Sequence, residues 1–107
     1  MYIEFRFKKV VKDIKILTNK TKISVVIPCY NCGNYLIKGI RSIQNQDFSD
    51  FEIIIINDFS SDNTLQIIQK FQKEDPRIKC LNNKKNMGTL YSRTIGTLSG
   101  EGKYIYY

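Results

Sequence analysis

The chain has 107 residues, 42% hydrophobic and 25% charged, with a net charge of +7, three cysteines and no histidine. That length holds one domain around one core, and the composition is not that of a disordered chain. It excludes a bilayer-spanning stretch of ~18 apolar residues, the continuous apolar core of a signal peptide, and any Ser-His-Asp or Cys-His catalytic set.

Charge is spread unevenly. Residues 1–22 hold seven Lys or Arg against Glu4 and Asp13, net +5, which leaves +2 for everything after Lys22. The basicity is therefore mostly a property of a leader, residues 1–21, which argues against a nucleic-acid partner. With Tyr2, Phe5, Phe7, Val10, Val11, Ile14, Ile16 and Leu17 among its lysines, the leader could lie on an anionic membrane surface or pack as an extra helix. A solvated extension is the plainer expectation. The expected location is cytoplasmic, peripheral to a membrane if the leader touches one.

The domain proper is expected over residues 22–107. Residues 23–27, Ile-Ser-Val-Val-Ile, read as a short strand ended by Pro28, which cannot donate to a ladder. A loop from Cys29 to Asn34 follows. Leu36, Ile40 and Ile43 then recur at helical spacing, predicting a helix over 35–46 with Asn34 as its cap. Residues 51–64 are the centre of the pattern. Ile53, Ile54, Ile55 and Ile56 form a β-branched run suited to a strand covered on both faces, and it stops on Asn57 and Asp58. Ser60, Ser61, Asp62 and Asn63 offer capping groups for a second helix, marked by Leu65, Ile68 and Phe71 and closed by Pro76. Residues 78–81 read as a third strand, 82–88 as an Asn- and Lys-rich loop in which Gly88 can take a conformation closed to most residues, and 89–98 as a weaker helix interrupted by Gly96. After a turn at 99–102, residues 103–107, Lys-Tyr-Ile-Tyr-Tyr, read as a fourth strand.

Alternating strands and helices predict an α/β fold: a mostly parallel sheet of about four strands, right-handed crossovers, and helices on both faces. An edge left unpaired in such a sheet predicts self-association. Ligands of these sheets bind beyond the carboxyl ends of the strands. Tyr30 and Asn31 follow the first strand, Asn57 and Asp58 the second, so an aromatic face and a carboxylate suited to a nucleoside fall on neighbouring loops. Equally compatible with the spacing, Asp58 caps the following helix and Tyr30 packs on the sheet edge. Arg93 faces either a phosphate or, more simply, solvent. No Gly-x-Gly-x-x-Gly and no P-loop occurs. Cys29, Cys32 and Cys80 are one ligand short of a structural zinc site. Cys29 and Cys32 form a C-x-x-C between strand and helix, the position of a thioredoxin-like pair, but Pro28 before it and Tyr30-Asn31 within it favour a structural or incidental pair. Cys80 reads as a small buried hydrophobe.

In register, four of these pieces resemble family 2 glycosyltransferases, whose GT-A fold binds a nucleotide-sugar. They are residues 23–31, Ile-Ser-Val-Val-Ile-Pro-Cys-Tyr-Asn; the acidic strand end and loop at 51–64; Asn86, Gly88 and Ser92-Arg93; and the strand from Gly102 to Ile105. The resemblance implies that Pro28 and Tyr30 line the base pocket, that Asp58 accepts a hydrogen bond from the base, and that Arg93 lies on the phosphate side. It implies inverting transfer of sugar from a nucleotide-sugar, a UDP-sugar favoured, to an unidentified acceptor. Asn57 stands where the family has its first acidic residue, Phe59 where it has glycine, and Thr94 where it has asparagine after the arginine. In the family the last strand runs into an Asp-x-Asp motif holding Mg²⁺ or Mn²⁺, with the catalytic base later. Neither is among the 107 residues, so the chain is expected to be the nucleotide-binding portion of a larger domain, inactive alone. Other readings are a nucleotide-binding or interaction module without chemistry, and a C-x-x-C redox protein.

Overall fold

A computed structural model of the chain describes residues 23–102 and 104–107. The expectations for the basic leader, its membrane contact and Lys103 fall outside those residues. Seven elements alternate along the described residues: β1 (Ile23–Cys29), α1 (Asn34–Gln44), β2 (Phe51–Asn57), α2 (Thr64–Glu74), β3 (Ile78–Asn82), α3 (Thr89–Ser99) and β4 (Tyr104–Tyr106). The strands form one sheet in the order β3-β2-β1-β4 with every pairing parallel, as an unbroken β-strand and helix alternation requires.

The isoleucine run lies at the centre because it can be buried on both faces. Ile53, Ile54, Ile55 and Ile56 are fully buried. Successive side chains of a strand point to opposite faces, so the run serves two cores. Ile53 and Ile55 join Val25, Ile27, Leu36, Ile40, Ile43, Ile68 and Phe71 under α1 and α2, whereas Ile54 and Ile56 join Val26 on the side of α3. Each such isoleucine contributes roughly 1.5–3 kcal/mol by leaving water. Gly96, an interruption in the sequence pattern of α3, is the contact point of that helix with the sheet. A Cβ there would stand 2.7 Å from Ile56 Cδ1 and closer still to Val26 Cγ1.

The strands run slightly longer than the apolar pattern indicates. Pro28 lies inside β1, in register with Ile56: Cys29 O accepts from Asp58 N on the β2 side, so strand alternation turns the Pro28 nitrogen away from β2 and no bond to that strand is lost. Helix ends also differ in detail. Gly33, with φ 49, precedes α1 in place of Asn34, which is the first helical residue. Before α2 it is Asp62 that accepts from the Thr64 backbone N–H (3.0 Å) and from the Thr64 hydroxyl. Pro76 acts as expected, holding Asp75 extended at φ −136° and ψ 109° so that α2 stops at Glu74.

At the amino end of the sheet Glu52 is buried, 2% exposed, and clamps the turn before β4. Its Oε1 accepts from Ser24 Oγ (2.7 Å) and Glu101 N (2.6 Å), and its Oε2 meets Lys79 Nζ at 2.9 Å. Burial alone would raise its pKa, but these donors and the Lys79 charge hold it at about 2. Ser24 Oγ accepts in turn from Gly102 N at 2.8 Å.

Candidate functional site

The carboxyl edge of the sheet is set by two register pairs, Cys29 with Asn57 and Asn57 with Asn82. Just beyond them the chain turns into three loops that bond to one another. Asp58 N donates to Cys29 O (2.8 Å) and Asn83 N to Asn57 O (2.9 Å). Asn57, the uncharged residue at the strand end, donates its amide to Asn82 Oδ1 (3.0 Å) and accepts from Ser60 N (3.2 Å).

Asp58 is 4% exposed and its carboxylate turns toward the 83–88 loop. Oδ1 accepts from Asn83 Nδ2 (2.9 Å) and Met87 N (2.7 Å), and Oδ2 from Gly88 N (2.9 Å). Those donors lower its pKa against the opposing effect of burial. Asp58 therefore anchors a helix start, that of α3 rather than of the helix that follows it in sequence, and an anion is favoured at that helix end. Gly88 permits the approach with φ 90. A carboxylate has about four acceptor positions, so after three donors Oδ2 retains one.

Tyr30 stands on the neighbouring loop, 54% exposed, one residue beyond the register pair that Asp58 also follows. The two backbones share a rim, but the adjoining hollows differ. One of about 290 Å³ is lined by Asn31, Cys32, Gly33, Asn34, Tyr35 and Lys38. The other, about 550 Å³, opens between β3 and α3 and includes Asn83, Lys84, Lys85, Met87 and Tyr91. The Tyr30 loop is braced twice. Cys29 and Cys32 are disulfide-bonded with Cα atoms 5.7 Å apart. Asn31 Oδ1 accepts from Ser61 N (2.8 Å), and Asn31 N donates to Ser60 Oγ (3.0 Å). Pro28 is half-buried at the end of β1.

Arg93 lies on the opposite flank of α3, its guanidinium 5.7 Å from the centre of the Tyr107 ring. It lines a hollow of about 280 Å³ with Leu90, Thr94, Thr97, Leu98 and Tyr107. Pro28, Tyr30 and Asp58 are thus gathered on one edge, with Arg93 on the helix that Asp58 anchors. Sequence reasoning missed Asn83, which bridges Asp58 to Ser92 Oγ (3.1 Å), and gave no role of its own to the fully buried Ser92, named only as part of a motif. The density of asparagine in 82–86 was the available signal. Cys80 is half-buried against the core, and burial raises its thiol pKa.

Residues 24–107 match the sequence profile of Glycosyl transferase family 2. The chain belongs to that family. A β-1,3-glucosyltransferase of Campylobacter jejuni named for GalNAc(5)-diNAcBac-PP-undecaprenol is 42% identical to this chain over 85 residues, 78% of the chain and 28% of the enzyme. An uncharacterized glycosyltransferase of Haemophilus influenzae is 41% identical over 88 residues, 82% of the chain and 27% of that protein. The matched span is thus about a quarter of the length of these relatives. Among solved structures, Staphylococcus aureus TarS 1–349 superposes with a TM-score of 0.72 at 31% identity, over 78% of this chain and 26% of its own, and it has also been solved with UDP. A Pyrobaculum calidifontis mannosyltransferase solved with GDP-Man and Mn²⁺ superposes at 0.75 with 16% identity, over 80% of this chain and 26% of that one, a likeness of fold. The GT-A fold expected from the family 2 resemblance is the fold observed.

The divalent metal that the family resemblance implies does not fit the described residues. Among the described residues no group of three or more His, Cys, Asp or Glu could hold an ion. Asp58, the buried carboxylate of this edge, is already committed to three donors. Nor is any helix of the described residues long and apolar enough to cross a membrane.

Proposed function

We propose that this family 2 chain forms the donor-nucleotide side of a sugar transferase and binds the nucleoside of a UDP-sugar. Tyr30 supplies a flat face to the base. The remaining acceptor position on Asp58 Oδ2 takes a base N–H, Pro28 shapes the floor of the pocket, and Arg93 attracts the diphosphate from the flank of α3. The observation that carries the proposal is the pairing of Cys29 with Asn57, which puts Tyr30 and Asp58 on adjacent strand ends in a chain of this family. UDP bound to TarS, which shares 31% identity, favours uridine.

The transfer we propose is inverting: an acceptor hydroxyl, deprotonated by a general base, attacks the anomeric carbon from the face opposite the leaving nucleoside diphosphate. The described residues offer no metal site and the sequence no histidine, so we propose that their part is to bind and orient the donor and that they transfer no sugar unaided. Domain limits of 1–21 for the basic leader and 22–107 for the donor portion belong to the same proposal, as does a peripheral membrane contact through 1–21. A redox role is disfavoured because Cys29, the leading cysteine of the C-x-x-C, is 1% exposed, where an attacking thiolate needs access.

The test is calorimetric titration of the chain with UDP, with uridine, and with UDP against a Tyr30→Ala variant. UDP should bind, Tyr30→Ala should weaken it, and Arg93→Ala should weaken UDP more than uridine. No heat with UDP at millimolar concentration rejects the proposal.

A further inference from the structure

Phe59 is a large side chain in a backbone conformation that large side chains avoid. Its φ is 60, in the left-handed region, where a bulky residue is an outlier. Such strain persists only where neighbours dictate it, and here they do. On one side Asp58 is fixed by three hydrogen bonds. On the other, Ser60 N donates to Asn57 Oδ1 (3.2 Å) and Ser60 Oγ accepts from Asn31 N (3.0 Å). Glycine would take this conformation without penalty. Core packing does not explain the phenylalanine either, since the residue is 59% exposed and belongs to neither core cluster.

Single exposed aromatics are ordinary on protein surfaces. A strained one at the carboxyl end of a central strand, on a loop sewn to that of the exposed Tyr30, is not. We propose that Phe59 is a specificity-determining contact of the donor site: its ring packs on the nucleobase and, by occupying space a glycine would leave open, selects a single-ring base over a purine. The inference rests on the donor-nucleotide reading above and names what discriminates within it. Stacking alone accepts any base, so the selectivity comes from the room the second ring removes.

The experiment combines titration of the 107-residue chain with UDP and with GDP and thermal unfolding of the same samples. Wild type should prefer UDP. Phe59→Gly should bind UDP about tenfold more weakly, the usual scale of one lost stacking contact, with the UDP-to-GDP ratio falling toward one. Its melting midpoint should nonetheless rise, because the strain is gone. Phe59→Tyr should keep wild-type affinity and preference. Phe59→Asn, which tolerates the left-handed region, should behave as Phe59→Gly and so assign the loss to the ring rather than to loop freedom. If Phe59→Gly and Phe59→Asn keep both the UDP affinity and the ratio, or if Phe59→Tyr loses them, the inference is overturned. A wild type that binds neither nucleotide rejects the donor-site reading itself, an outcome told apart because no variant is needed to see it.

Discussion

At the scale of single residues, two buried carboxylates do different work at opposite ends of the sheet, and each predicts a distinct result. Glu52 is depressed from 4.5 to about 2. A lowered folded-state pKa adds stability that is complete above the unfolded value and fades as pH falls through the folded one. Glu52 should therefore contribute on the order of 3 kcal/mol above pH 4.5, lost progressively between pH 4.5 and 2. Denaturant unfolding of wild type and Glu52→Gln across that range checks it: the gap between them should narrow as pH falls, and parallel curves would refute the assignment. Asp75, also held at about 2, chiefly by its bonds to Arg77, adds to the acid sensitivity of both proteins and cancels in the comparison. Asp58 is the other case. Asp58→Ala strands the donors of Asn83, Met87 and Gly88 and should cost about 3 kcal/mol as well as UDP binding. A variant that lost UDP with unchanged stability would show the loop bonds to be incidental. None of this second role was legible beforehand, because Asp58 reaches Met87 and Gly88 across some thirty positions that no local pattern connects.

Among the elements, the apolar runs made strand and helix order legible, while the ends depended on neighbours. The isoleucine run announced a buried central strand because burial on both faces removes alternation. Pro28 was misleading as a terminus because only the pairing with β2 shows that its nitrogen faces away from that strand. Gly96 shows the same limit with opposite sign. Helix propensity makes Gly→Ala stabilising by up to about 1 kcal/mol in the middle of a helix. Here the added methyl would meet Val26 and Ile56, so Gly96→Ala should instead destabilise by about 1–3 kcal/mol through overpacking. Urea unfolding decides between them by sign alone. A stabilised variant would mean that α3 stands farther from the sheet than described, and the anchoring of its start by Asp58 would have to be redrawn with it.

Across the molecule, apolar surface and charge oppose each other. Leu90 and Leu98 on α3 are 80% and 81% exposed, with Tyr91, Tyr104 and Tyr107 also exposed, and β3 forms one edge of the described sheet. Apolar side chains spaced along one helix beside a short strand make a sticky flank, whereas a net charge of +7 keeps copies apart at low ionic strength. Salt removes only the second effect, since the screening length shrinks from about 30 Å at 0.01 M to about 3 Å at 1 M. The chain should thus sediment as a monomer in dilute buffer and associate as salt and concentration rise. Leu90→Lys with Leu98→Glu should keep it monomeric throughout, because the pair removes the apolar stripe without changing net charge. Sedimentation velocity at two salt concentrations measures this directly. Association that weakens with salt would identify the contact as electrostatic and remove α3 from it.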